Sequence, residues 1–197
     1  MNRVLRKSWF NFDVKEEIRE IIILSIIALL VPLFLGKIIS LIFGEFSLIA
    51  SNAEIIIGTI INSLLIVCAL NIKGFKKIVP VIILPSVGWI LSNYLFGGAV
   101  SSFLWMIPFI WIGNFAFIYI FKWLMVEKKM NYFLTGLIAV IVKVLIIYGI
   151  FCLLNLFGVF PSVMLNTLRY TMGALQGFTG ILGVFLGFLI YTSYRYV

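Results

Sequence analysis

Six times along this chain of 197 residues an apolar run long enough to cross a membrane recurs, and nothing else in the sequence constrains the fold as strongly. A helix rises 1.5 Å per residue, so about 20 apolar residues cover the roughly 30 Å of bilayer hydrocarbon. The runs fall at about 21–43, 54–72, 78–97, 102–126, 132–158 and 174–194. The expected fold is an all-α integral membrane protein: a six-transmembrane-helix bundle forming a single membrane domain over residues 1–197, with 1–20 as a cytoplasmic or interfacial segment. Composition agrees, since 63% of residues are hydrophobic and 11% charged, against about a quarter charged in soluble domains. Too little chain remains outside the spans for a soluble catalytic domain.

Charge sets the orientation, because short cytoplasmic loops are enriched in Lys and Arg. With the N-terminus inside, the cytoplasmic segments hold Arg3, Arg6, Lys7, Lys15 and Arg19, then Lys73, Lys76 and Lys77, then Lys122, Lys128 and Lys129, and last Arg195. Lys37 and Arg169 fall on or near the outer side, and Lys143 lies inside a span. Five or seven spans would spoil this partition, so N- and C-termini are both expected to be cytoplasmic, in a multi-pass protein of the cell's inner (cytoplasmic) membrane. The net charge of +8 is accounted for by basic inner loops facing anionic lipid, with no nucleic acid required.

The first apolar run exceeds a signal-peptide core and is followed by no A-x-A cleavage signature, so it is expected to remain as the first helix. Trp9, Phe10 and Phe12 in the preceding segment suit an interfacial helix. Cys68 and Cys152 fall in opposite halves of their spans, too far apart for a bridge.

What is absent narrows the chemistry. The chain has no His, and Asp13, Glu16, Glu17, Glu20, Glu45, Glu54 and Glu127 all sit at span ends or in loops. Zinc sites of His and Cys, a carboxylate pair within the membrane and a Ser-His-Asp set are therefore all missing. A Ser-Lys nucleophile is formally open, but nothing near Lys143 nominates its Ser. The expectation is no catalytic residue, no metal and no cofactor.

Polar residues inside the spans point instead to binding. Ser86, Trp89 and Asn93 follow i, i+3, i+7 spacing on span three, and Trp111 and Asn114 share a face of span four. Trp beside Asn on consecutive helices suits a mostly apolar pocket with a few orienting polar groups. Thr59, Asn62 and Ser63 on span two read as contacts between helices. On span five Gly136, Ala139, Val140 and Lys143 form one stripe. Asn114 and Lys143 lie level, each on the order of 16 to 18 Å from the inner end of its span. In the last span Thr179, Gly183 and Gly187 repeat every four residues, as do Gly173 and Gly177, and span one carries Gly36, Ser40 and Gly44. Such spacing lets helices approach closely, within the bundle or against a partner.

The stretches ILPSVGWILSNYLFG, MIPFIWIGNFAFIYIFKW, IVKVLIIY and LQGFTGILGVFLG, with the Gln-x-x-Thr spacing of Gln176 and Thr179, resemble the S components, the substrate-binding membrane subunits of energy-coupling factor (ECF) transporters. The similarity covers residues 78 to 190 and is nearest to a bacterial branch whose members carry the misnomer iron hydrogenase; two isolated cysteines cannot ligate such a cluster. The resemblance implies capture of a vitamin or other micronutrient in an outward-opening cavity, followed by association with a transmembrane T component and two cytoplasmic ATPase subunits. Any ATP hydrolysis would come from those subunits, since no Walker A motif is present. Many members dock the T component through an AxxxA pair on the first helix, whereas IIILSIIALLVPLF offers Ser25, Ala28 and Pro32.

The ligand-binding residues expected are Trp89, Asn93, Trp111, Asn114, Lys143 and Gln176. Lys143 has no acid in any span to pair with. It either serves the bundle, solvated by amides and water, or meets a carboxylate or phosphate on the solute; the second reading is the expectation. The alternative function is a small homo-oligomeric channel or exporter, with the glycine rows as subunit interfaces. A ligand-free membrane assembly factor is the third.

Overall fold

The computed structural model describes residues 14–96 and 101–193, and the side chains of 17–96 and 103–193. The expected interfacial aromatics Trp9, Phe10 and Phe12, Gly97, and the basic Arg3, Arg6, Lys7 and Arg195 lie outside the described residues, as does the side chain of Lys15. Six long helices follow in order: α1 (Val14–Phe43), α2 (Ala53–Asn71), α3 (Val79–Phe96), α4 (Ile107–Lys122), α5 (Tyr132–Leu156) and α6 (Leu175–Ser193). Each belongs to a helical run long and apolar enough to span a membrane. No strand occurs among the described residues.

Three boundaries differ from the sequence reading, each for a physical reason. Helix α1 starts at Val14, ahead of the span expected from about 21, and Glu17 in its first turn suits the positive end of the helix dipole. Helix α4 starts at Ile107 after a separate turn over Ser101–Leu104, rather than at 102. Pro108 lacks an N–H and is best accommodated in a first turn. Helix α6 continues a helical path that already begins at Ser162, through Leu165–Arg169 and a π-helical turn at Tyr170–Ala174, ahead of the span expected from about 174.

Helix α2 is the central post. It packs against α1, α4 and α6, and every residue from Ile61 to Leu70 is buried, as befits a helix apolar on all sides. The bundle's outer surface is also apolar: Ile22, Ile26, Leu30, Leu145, Phe185 and Leu189 are exposed. In water so continuous an apolar surface is unusual; against lipid tails it carries no penalty.

Several glycines of α5 and α6 serve packing inside the bundle. A Cβ at Gly183 would stand 2.5 Å from the Asn62 Cβ, one at Gly180 2.9 Å from Val140 and one at Gly136 2.6 Å from Val184. These glycines bring α6 against α2 and α5. Gly88 of α3 is tighter still, since a Cβ there would meet the Leu29 carbonyl oxygen of α1 at 2.3 Å and Pro32 Cγ at 2.9 Å. Backbone cannot yield as a side-chain tip can, so Gly88→Ala is expected to cost about 1 to 3 kcal/mol. At Gly177 the nearest atom would be Val144 Cγ2 at 3.7 Å, and Gly177→Ala should be neutral. Unfolding midpoints of the two variants in the same detergent check this, and equal midpoints would contradict it.

The end of the bundle bearing Lys73, Lys76 and Lys77 is closed by polar contacts. Buried Glu17 accepts hydrogen bonds from the Lys73 backbone N–H and from Lys77 Nζ at 2.7 Å, and Lys122 Nζ donates to the Ile72 carbonyl at 2.6 Å. These bonds tie α1 and α4 to the α2–α3 connection. Leu65, Ile66, Ile72, Ile78, Phe117 and Phe121 belong to one buried apolar cluster that fills the bundle near this end. The cavity lies in the other half.

Candidate functional site

A cavity of about 390 Å³ occupies that other half, with all six helices contributing to its wall. The volume lies within the range of small-molecule sites, about 300 to 1,000 Å³. Pro32 of α1 and Pro85 of α3 border it. The π-helical turn before α6 brings Met172 of that turn to the wall alongside Leu175 and Gln176. Single π turns are frequent at functional sites, because the extra residue re-aims the side chains that follow it.

Lys143 lies at the floor, 2% exposed. Its stem passes α4 at Gly113, where an added Cβ would come within 3.6 Å of the Lys Cγ. Lys143 and Asn114, the residue after Gly113, both line the cavity. The ammonium then reaches across to α2 and donates to Asn62 Oδ1 at 2.7 Å, with the Phe117 ring centroid 5.7 Å away.

Asn62 is held so that its oxygen faces the Lys. Its Nδ2 donates to the Gly58 carbonyl at 2.8 Å and to Thr179 Oγ1 at 3.2 Å, while Thr179 donates its own proton to the Leu175 carbonyl at 2.8 Å. A relay of donors thus runs from α5 through α2 to α6 and fixes the amide orientation. It needs α2 and α6 in close contact, which Gly58 permits: a Cβ there would press on Thr179 Cγ2 at 2.9 Å.

One acceptor cannot satisfy an ammonium with three donors. Among the described residues Lys143 has no other hydrogen-bond acceptor, and the ion pairs Lys37–Glu45 and Lys77–Glu17 both lie elsewhere. Asn114, also in the lining, is 3% exposed, and its Oδ1 has no hydrogen-bond partner among the described residues. Lys143 and Asn114 line one cavity, and buried polar atoms are nearly always paired, so their unfilled hydrogen-bonding capacity suits a polar group from outside.

The wall above is apolar and aromatic. Trp89 packs on Phe103 with ring centroids 5.4 Å apart, and Asn93 spends its Nδ2 on the Trp89 carbonyl at 2.8 Å. The cavity brings together Trp89, Asn93, Asn114, Lys143 and Gln176 of the six expected ligand-binding residues. Trp111 is not in the lining. The stripe of α4 that faces the cavity is Ile107, Ile110 and Asn114, and Trp111, one position on from Ile110, turns toward α3 and donates Nε1–H to Ser86 Oγ at 3.1 Å. It braces the wall from behind.

Two residues of the site escaped the sequence reading. Asn62, read as a contact between helices, is the partner of Lys143. Glu54, taken as a span-end acid, lies exposed at the cavity's rim. A second depression of about 450 Å³ lies on the surface between α5 and the segment before α6, around Arg169 and Tyr148, but none of its lining residues is buried. Among the described residues no three of His, Cys, Asp and Glu come together. No protein-family model, curated protein or solved structure matches this chain.

Proposed function

We propose that this protein is the substrate-capture subunit of an ECF-type uptake transporter and binds a small anionic solute, a vitamin or other micronutrient, in the cavity floored by Lys143. One observation carries the binding reading: a buried ammonium with a single amide acceptor among the described residues lines the same cavity as a buried carbonyl with no acceptor role filled there. A carboxylate or phosphate there would accept the free N–H bonds of Lys143. Asn114 and Gln176 would orient the polar remainder of the solute, and Trp89 would cover its apolar face.

The transporter type rests on the resemblance of residues 78 to 190 to S components. On this reading the termini and the Lys73–Lys77 end are cytoplasmic, in the cell's inner membrane, and the cavity opens outward. The chain has no catalysis of its own, and energy comes from two ATPases acting through a T component. Ala28 and Pro32 are buried within the bundle, so a T component meeting α1 would touch the exposed row Ile22, Ile26 and Leu30 rather than a small-residue pair. The use of Gly136, Gly180 and Gly183 inside the bundle leaves fewer glycines for the subunit interfaces that a channel would need.

Native mass spectrometry of gently purified protein tests the reading. A monomer carrying one small molecule is the expected result; a symmetric oligomer that retains no solute and conducts ions would overturn it. Orientation has its own test. Single cysteines near Lys76 and Lys128 should be shielded from an impermeant thiol reagent in intact cells, and cysteines near Ser51 and Ser162 should react. Labelling of the Lys128 turn from outside would contradict the assignment.

Asn114 offers a sharper check, because its carbonyl has no hydrogen-bond partner among the described residues. Asn114→Leu should leave the unfolding midpoint unchanged or higher, while solute affinity falls about fivefold or more, the loss of one hydrogen bond of about 1 kcal/mol. A lower midpoint with unchanged affinity would assign the amide to packing.

A further inference from the structure

The cavity's lining contains one cation and one acid, and they stand at opposite ends. Lys143 is at the floor against Asn62, and Glu54 is at the rim. Glu54 and Asn62 lie eight positions apart on the same helix, so about 12 Å of helix axis separates their levels. Between them the α2 side of the wall is Ile57, Gly58 and Ile61, and Trp89 with Phe103 faces it. Glu54 has no hydrogen bond or ion pair among the described residues. The rim carboxylate therefore attracts cations and repels a second anionic group, while the floor ammonium does the reverse.

From this separation we infer that the solute is dipolar: an anionic group at one end for Lys143, a cationic group at the other for Glu54, and an apolar or aromatic middle. The inference rests on the capture reading and narrows it. Taking the axial rise between the Glu54 and Asn62 levels as the span to be bridged, with a hydrogen bond of about 2.8 Å at each end, leaves on the order of 6 Å between the two charged groups of the solute. An α-amino acid head group, whose charges sit on adjacent atoms, is too short to use both. Glu54 is exposed, so its share is modest, on the order of an exposed ion pair; buried Lys143 contributes more.

The probe is 4-(aminomethyl)benzoate, a rigid aromatic zwitterion, compared by calorimetry on the full chain in detergent with 4-methylbenzoate and benzylamine, each of which lacks one charge. The zwitterion should bind about threefold to fivefold more tightly than 4-methylbenzoate, and about thirtyfold or more above benzylamine. Glu54→Gln should bring the zwitterion and 4-methylbenzoate to within about twofold of each other, and Lys143→Met should remove the advantage over benzylamine. Wild-type protein that holds 4-methylbenzoate as tightly as the zwitterion, or a preference that persists in Glu54→Gln, overturns the dipolar assignment and leaves the capture reading standing. The ionic groups of any solute retained in native mass spectrometry give a second arm: groups of both signs support the assignment, and one sign alone overturns it. A protein that binds none of the three at millimolar concentration and retains no solute overturns both readings.

Discussion

Replacing Asn62 by Leu is expected to destabilise the protein by about 3 kcal/mol, the largest loss of any single change at the site. The side chain is 2% exposed and makes the one hydrogen bond to the Lys143 ammonium found among the described residues. A bond to a charged group contributes about 1.5 to 3 kcal/mol, and the charge left behind loses its acceptor. The change also removes the donor to Thr179 and to the Gly58 carbonyl, loosening the α2–α6 contact. The reverse experiment isolates the cause. In Asn62→Leu combined with Lys143→Met the buried charge is gone, so the double variant should be more stable than the sum of the single losses predicts, by about 1 kcal/mol or more. Denaturation of the four proteins in one detergent gives the cycle, and strictly additive losses would show that the Lys–Asn bond is energetically idle.

Lys143→Met is expected to behave in the opposite way, with little or no loss of stability and a large loss of affinity. Met matches the length of the Lys stem that runs past Gly113 and Ile147 without burying a charge in the membrane interior, where such a charge costs about 2.5 to 3.5 kcal/mol. Truncating one side of a buried, hydrogen-bonded charge pair costs about 2 kcal/mol or more, so an anionic solute should bind about thirtyfold more weakly or worse. Lys143→Arg should retain part of the affinity, limited by the wider, planar guanidinium in a space shaped for an ammonium. Affinities measured in folded protein check both, and a tighter-binding Met variant than Arg variant would mean that the charge is not what the solute meets.

The membrane-spanning architecture was legible because it follows from length and hydropathy alone, and the grouping of Asn114 with Lys143 follows from counting residues at 1.5 Å each. The helix starts were less so. Pro108 had marked the start of α4 in plain sight, whereas the π-helical turn at Tyr170–Ala174 leaves no mark in the composition of YTMGA. At the site, Trp89 and Asn93 were readable because three residues of α3 shared a face. Trp111 was misplaced because i, i+3 spacing tells which side of a helix two residues share within about 60°, and the cavity edge falls inside that angle. Asn62 could not be told from an ordinary packing amide, since its role comes from a partner 81 positions away. Glu54 was hidden by its place at the end of a span, where acids are common; only the closing of six helices around one space made it a rim residue.

The central claim is that Lys143 is buried for the sake of an anionic solute. Native mass spectrometry of wild-type and Lys143→Met proteins, purified side by side under the same gentle conditions, tests it most directly. The account predicts a wild-type monomer carrying one small anionic molecule and a folded Lys143→Met monomer carrying none. The same adduct at the same occupancy on both would contradict it, and would assign Lys143 to holding α5 against α2.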